Sequence, residues 1–235
     1  MPTDFFGRVM VVFQRYGMSM LQGAGVSLRI ALVGTIVGCI IGFAVGIVQT
    51  IPVEAKDNPI KKGVLWVIKL IMNAYVEFFR GTPMMVQLMI MYFVVFSSSR
   101  HEVAVATLAF GINSGAYVAE IVRGGIMSVD AGQMEAGRSL GMNYTQTMRH
   151  IIIPQAIKNI LPALGNEMIT LLKDTSLMTV IGAKDLTKAA QTVQAVTYQA
   201  FMPYISIAVV YLVCVIALSK LLALIERRMR NSDRR

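Results

Sequence analysis

The chain has 235 residues, of which 55% are hydrophobic and only 15% charged, and its mean hydropathy is +0.62. Soluble domains carry about a quarter charged residues, so this composition excludes an ordinary soluble fold and points to an integral membrane protein. The net charge of +9 does not indicate nucleic acid, because the cations edge the apolar runs without an aromatic-basic groove pattern.

The opening stretch, MPTDFFGRVMVVFQRYGM, lacks a basic leader and a small-residue cleavage pattern. It is expected to form an interfacial amphipathic helix ahead of the first span. A hydrocarbon core of roughly 30 Å needs about 20 helical residues, and Val26 to Val48 supplies the first such run. Gly34, Gly38, Gly42 and Gly46 recur every fourth residue there. On a helix they make one flat stripe, a packing seam over which a second helix approaches closely.

The second run, Val64 to Phe96, is too long for one straight crossing and is interrupted by Glu77, Arg80, Gly81, Thr82 and Pro83. It is either one kinked, tilted span or two short ones. Glu77 and Arg80 are spaced to pair along a helix. Gly81 and Pro83 break the ladder and free carbonyls that neighbours or water must meet. The break serves equally as a hinge or as a way to fit a long helix.

The third run, Val103 to Met127, carries Asn113, Ser114 and Gly115 at mid-depth, where small and amide side chains let a helix or a solute come close. Glu120 and Arg123 follow at pairing distance. The segment Glu135 to Pro154 is polar and Gly-hinged. It is expected to form a short helix over Glu135 to Leu140, a left-handed terminus at Gly141, and a second helix from Thr145 to Ile153 that ends before Pro154. Such a knob belongs on the membrane surface, facing a soluble partner.

The fourth run, Ile160 to Ile181, contains Glu167, Lys173 and Asp174. Charges at that depth cost several kcal/mol against lipid, so they should face protein or a water-filled interior. Glu167, Thr170 and Asp174 share one helical face, and Asn166, Thr170 and Lys173 share the adjoining one. Two roles stand open: pairing with other helices, or contact with a solute in a translocation cavity. Glu167 and Asp174 are roughly 10 Å apart along a helix, too far for direct proton sharing in an intramembrane enzyme. Gly182 to Met202 is polar enough to stay outside the core, with Leu186, Ala190, Val193 and Thr197 on one face, and Pro203 to Ile225 makes the last run.

Counting the second run as one crossing gives five crossings, an external amino terminus and an internal carboxyl terminus. The inner segments then hold Lys56, Lys61, Lys62, Arg123, Arg138, Arg149, Lys158, Arg227, Arg228, Arg230, Arg234 and Arg235. Outside are Arg8, Arg15, Arg100, Lys184 and Lys188. That asymmetry is the positive-inside bias. Cys39 and Cys214 lie inside apolar runs and read as small core residues. His101 and His150 belong to no ligand cluster, so no metal site is expected.

The knob resembles the coupling loop of bacterial ATP-binding-cassette importer permeases. Their pattern is Glu-Ala-Ala, three residues, Gly, nine residues, then Ile, any residue, Leu-Pro, and here Glu135, Ala136, Gly141, Ile151 and Pro154 match in register. Gly137 replaces the usual third Ala, and Ile153 the usual Leu. From Gly17 to Arg228 the chain is similar to the polar amino acid branch of that family. The likeness includes Phe79-Arg80-Gly81-Thr82-Pro83, Asn113-Ser114-Gly115-Ala116-Tyr117, the Glu120 to Ile126 stretch with Arg123-Gly124-Gly125, and Lys173-Asp174-Thr175-Ser176-Leu177.

The resemblance implies an all-α integral membrane chain with the five-transmembrane-helix type I ABC importer permease fold, one domain over residues 1–235. Its coupling loop, about 130–158, and basic tail, 226–235, would be cytoplasmic. Two permease chains, identical or closely homologous, would form the path in the inner membrane. Two cytoplasmic ATPases would clasp the coupling loops at Glu135, Ala136, Gly137, Gly141, Ile151 and Pro154. An extracytoplasmic binding protein would deliver a polar or charged amino acid to Asn113, Asn166, Glu167, Thr170 and Asp174, with Arg80, Gly81 and Pro83 at a hinge. ATP and Mg would be used by the partner, with no cofactor expected in this chain, and the lack of a G-x-x-x-x-G-K-[ST] phosphate loop agrees with that. The alternative is a permease that supplies coupling and packing while a different permease partner supplies the solute contacts.

Overall fold

The computed structural model describes residues 5–53 and 58–232, all of whose regular elements are helical. Lys56, Arg234 and Arg235, counted above among the inner cations, lie outside the described residues, as do residues 1–4 of the expected interfacial helix.

That helix is not a separate element. It is continuous with the first span in α1, Phe5–Thr50, 46 residues and roughly 70 Å long. No breaker interrupts it. Gly23 serves a close approach instead of a hinge, since a Cβ there would lie 2.8 Å from the carbonyl oxygen of Asp185. The glycine stripe faces α4, Glu102–Met127. A Cβ on Gly38 would meet Ser114 Oγ at 2.8 Å, and one on Gly46 the Ala119 carbonyl at 2.7 Å. Gly111 and Gly115 of α4 return the same fit to Val37 and Ile41 of α1.

Between them in the chain comes α2, Pro59–Gly81, capped by the Asn58 side chain, which accepts from the Ile60 N–H at 3.0 Å. After Thr82 and Pro83 the chain turns through 107° into α3, Met84–Ile90, which ends in a π turn, Met91–Val95. The second run is therefore a bent pair.

The polar, Gly-hinged segment holds α5, Ala131–Ser139, and α6, Tyr144–Thr147, with Gly141 between them at φ +80°. The second helix does not end before Pro154, contrary to expectation. It passes through a π turn, Met148–Ile152, directly into α7, Ile153–Asp174. Pro154 has no N–H to give the His150 carbonyl, and the wider turn absorbs that gap without ending the helix. A 3-10 turn, Thr175–Ile181, closes α7 at Gly182, φ +79°.

Asp185 caps α8, Leu186–Thr197, accepting from the N–H groups of Lys188 and Thr187 at 2.8 and 3.0 Å. Burial pushes its carboxyl above the usual carboxylate range, and those N–H groups pull it partly back. Of the expected α8 face, Leu186, Ala190 and Val193 are buried and Thr197 is half-buried. The three buried residues pack on Val12, Met20 and Ala24 of α1 and on Met202 and Ile207 of α9, Phe201–Ser232.

Among the described residues three helical stretches are long and apolar enough to cross a membrane: Val9–Thr50, Glu102–Met127 and Phe201–Arg228. Counting the bent pair as one makes four. The 22 residues of α7 include Lys158, Asn159, Asn166, Glu167 and Lys173, and α7, which packs on α4, α1 and α9, is not among these stretches.

Candidate functional site

Two regions gather the residues singled out above. The first is the break. In an unbroken helix the Phe79 carbonyl would accept from residue 83, but Pro83 has no N–H. Gln87 Nε2 and Asn113 Nδ2 donate to it instead, at 2.9 and 3.0 Å. Gln87 Nε2 also reaches the Thr82 carbonyl at 3.0 Å and Thr82 Oγ1 at 2.7 Å, and the Thr82 hydroxyl donates to the Phe78 carbonyl at 2.8 Å. Asn113 Nδ2 completes the set by donating to Gln87 Oε1 at 2.8 Å. Both amides are buried. Leaving one such acceptor unmet at this depth costs about 1–3 kcal/mol, so the bend is held by side chains that replace the missing ladder.

Arg80 does not pair with Glu77. Its Nη1 lies 3.4 Å from Glu120 Oε2, and its guanidinium carbon sits 5.5 Å over the Tyr117 ring. Glu120 also accepts from Arg123, Nε to Oε1 and Nη2 to Oε2, both at 2.9 Å. Two guanidiniums thus share one carboxylate and leave a surplus positive charge beside an aromatic face.

Ser114, next to Asn113 on α4, donates its hydroxyl to Glu167 Oε1 at 2.9 Å. Glu167 is half-buried, while Asn166, Thr170 and Lys173 form the exposed side of α7 and Asp174 is half-buried near its end. Thr170 Oγ1 donates back to the Asn166 carbonyl at 3.1 Å. The two faces read from the fourth run therefore divide: Glu167 turns to α4, and Asn166 and Thr170 stay open.

The second region is the knob. Asp130 caps α5 by accepting from the Gly132 N–H at 2.7 Å. Asn143 and Gln146 form a reciprocal capping box on α6 at 2.9 Å each way. Gly137 packs on buried Thr147, and a Cβ there would come within 2.5 Å of its methyl. That accounts for glycine where the pattern has alanine. Leu140 is 79% exposed at the tip. Behind the knob a cavity of about 590 Å³ is lined by Gln49, Arg123, Met134, Glu135, Arg138 and Tyr144, among others. Tyr144 Oη donates to the Thr50 carbonyl at 3.4 Å, joining the knob to the end of α1, and burial holds its phenol above the ordinary tyrosine value.

The sequence reading missed Gln87. One amide in an apolar run carries no positional signal until its acceptors are known. No group of three or more His, Cys, Asp or Glu side chains suited to a metal occurs among the described residues.

Residues 63–231 match the family described as the binding-protein-dependent transport system inner membrane component. The chain belongs to this family. The permease is 35% identical over 216 residues to the arginine transport system permease protein ArtQ of Bacillus subtilis (strain 168), covering 91% of this chain and 93% of that one. It is 36% identical over 215 residues to the glutamine transport system permease protein GlnP of Escherichia coli (strain K12), covering 90% and 93%. A solved structure titled as an amino acid ABC transporter with histidines matches at TM-score 0.82 and 43% identity, over 97% of this chain and 100% of that one. A chain of the MetNI methionine ABC transporter in an inward-facing form shares the fold at TM-score 0.74 and 20% identity, covering 90% and 96%. The protein is thus the membrane-embedded permease of an ABC importer, and ATP hydrolysis belongs to a separate subunit.

Proposed function

We propose that this permease carries a polar amino acid inward across the bacterial inner membrane. It works as a dimer with itself or a close homologue, clasped by two ATPases and fed by an extracytoplasmic binding protein. The observation that carries this reading is the unbroken helical path from Tyr144 to Asp174, which leads from the Gly141 knob to Glu167. It spans roughly 45 Å at the usual rise per residue. Closure of the ATPases pushes on Glu135, Ala136, Gly137, Gly141, Ile151 and Pro154, and α7 swings as a lever that opens the path alternately to either side.

Asn166, Glu167, Thr170 and Asp174 line the path. The Glu167 carboxylate suits the ammonium group that every amino acid carries. The surplus cation shared by Arg80 and Arg123 has the sign that a substrate carboxylate requires. Asn113 acts at the path's edge, where its amide grips the break at Arg80, Gly81 and Pro83.

Five crossings place the amino terminus outside and the carboxyl terminus in the cytoplasm, with the bent pair counted as one crossing. The shared side of Thr50 and Tyr144, and that of Gly23 and Asp185, support this path. Reconstitution with the co-encoded ATPase and binding protein, assayed with a panel of labelled amino acids, is the test. Uptake of polar amino acids by the homodimer is expected. Absence of binding-protein-stimulated uptake for every amino acid would overturn the proposal, and uptake only after a second permease chain is added would replace the homodimer with a heterodimer.

A further inference from the structure

We infer that Gln87 is a positioning residue for transport: it locks the break between α2 and α3 and, through Asn113 and Ser114, makes that break answer to the helix leaving the coupling knob. The inference rests on the transport reading above and adds the junction through which α7 acts.

Gln87 is 5% exposed, so it does not touch a solute. Its two amide hydrogens serve three acceptors, Phe79 O, Thr82 O and Thr82 Oγ1, and its own oxygen is taken by Asn113. The side chain thus stands where Pro83 removed a ladder bond, and it is joined to a second helix. Asn113 and Ser114 are consecutive on α4, and consecutive helical positions project about 100° apart. One therefore reaches the break while the other reaches Glu167 on α7.

The seam behind Ser114 is tight, since Gly38 of α1 has no room for a Cβ against it. A pull on Glu167 is consequently borne by the Ser114 side chain and α4, not absorbed by slack between helices. Displacing α4 separates Asn113 from Gln87 and from the Phe79 carbonyl together. The structure holds the clamp bonded. On this inference transport parts it, so that the knob and the solute path both bias one two-state element, the physical condition for coupling between distant sites.

The test uses the full transporter in proteoliposomes, measuring uptake and ATP hydrolysis with and without loaded binding protein. Gln87→Leu roughly keeps the volume and deletes all four Gln87 bonds of the clamp, leaving only Asn113 on the Phe79 carbonyl. ATP hydrolysis should then run without the loaded binding protein, and uptake per ATP should fall about ten-fold, with the half-saturating binding-protein concentration unchanged. Gln87→Glu, which loses the donors but keeps the acceptor, should behave likewise.

Ser114→Ala leaves the break fully bonded and cuts only the link to Glu167, so it decides the matter even if Gln87→Leu fails to insert. About three-fold lower uptake per ATP is expected, and the double variant should be no worse than Gln87→Leu alone. Unchanged uptake per ATP in Ser114→Ala, or independent losses that multiply in the double variant, would overturn the clamp. The unaltered transporter in the same vesicles tests the transport reading by itself.

Discussion

A methyl group added at Gly42 would run into Val118 of α4 and lie 2.8 Å from the Ala119 backbone nitrogen. At Gly46 it would meet the Ala119 carbonyl at 2.7 Å. Neither neighbour is the free end of a flexible chain, so the helices themselves must separate. Overpacking of this kind costs about 1–3 kcal/mol. Gly25 has no heavy atom within 4 Å of the same construction, and alanine there gains helix propensity worth up to about 1 kcal/mol. Thermal unfolding of the detergent-solubilised complex should show Gly42→Ala and Gly46→Ala melting below the parent and Gly25→Ala at or above it. Equal shifts at all three sites would mean that the stripe is not the seam. The four-residue spacing made this seam legible from the chain alone, but the fate of Arg80 was not. Spacing exposes a partner on the same helix, Glu77, and hides Glu120, which belongs to α4 and carries Arg123 as well.

At the scale of elements, the knob owes its shape to one residue's backbone. Gly141 sits at φ +80° with nothing within 4 Å of a would-be Cβ, so conformation, not space, excludes other residues. A β-branched side chain there carries a left-handed penalty of about 1–2 kcal/mol and is relieved by re-aiming α5 against α6. Gly141→Val should therefore insert and bind its ATPase yet uncouple hydrolysis from uptake. ATPase stimulation by loaded binding protein, measured beside uptake, checks this, and normal values of both would contradict it. The left-handed glycine and the presence of a helix on each side of it were readable because turn and cap chemistry is local, although the first helix begins at Ala131 and not at Glu135. The run through Pro154 was not, because a π turn leaves no mark in hydrophobic period. The break at Gly81 and Pro83 lies between these cases. Its unmet carbonyls follow from proline alone, whereas the donors, Gln87 and Asn113, arrive only with tertiary packing.

For the whole molecule the decisive question is which surface each end of the bundle faces. α1 begins against α8 and ends against the knob, with Asp185 close to Gly23 and Thr50 bonded to Tyr144. The tip of the knob and the end of α8 therefore belong to opposite faces if α1 crosses once. On the topology proposed above, the cation asymmetry puts the knob in the cytoplasm. Leu140, 79% exposed, and Val196, 64% exposed, report on the two faces without a capping or bonding role for their side chains. Asn143 is a poorer reporter because its side chain closes the capping box. With Cys39 and Cys214 first replaced, an impermeant thiol reagent applied to spheroplasts should modify Val196→Cys at once. Leu140→Cys should react only after permeabilisation, and more slowly when the ATPase is co-expressed, since the same apolar tip would then be covered. Ready modification of Leu140→Cys from outside would invert the bundle. An inverted knob could meet no nucleotide-driven partner, and the lever along α7 would have nothing to push it.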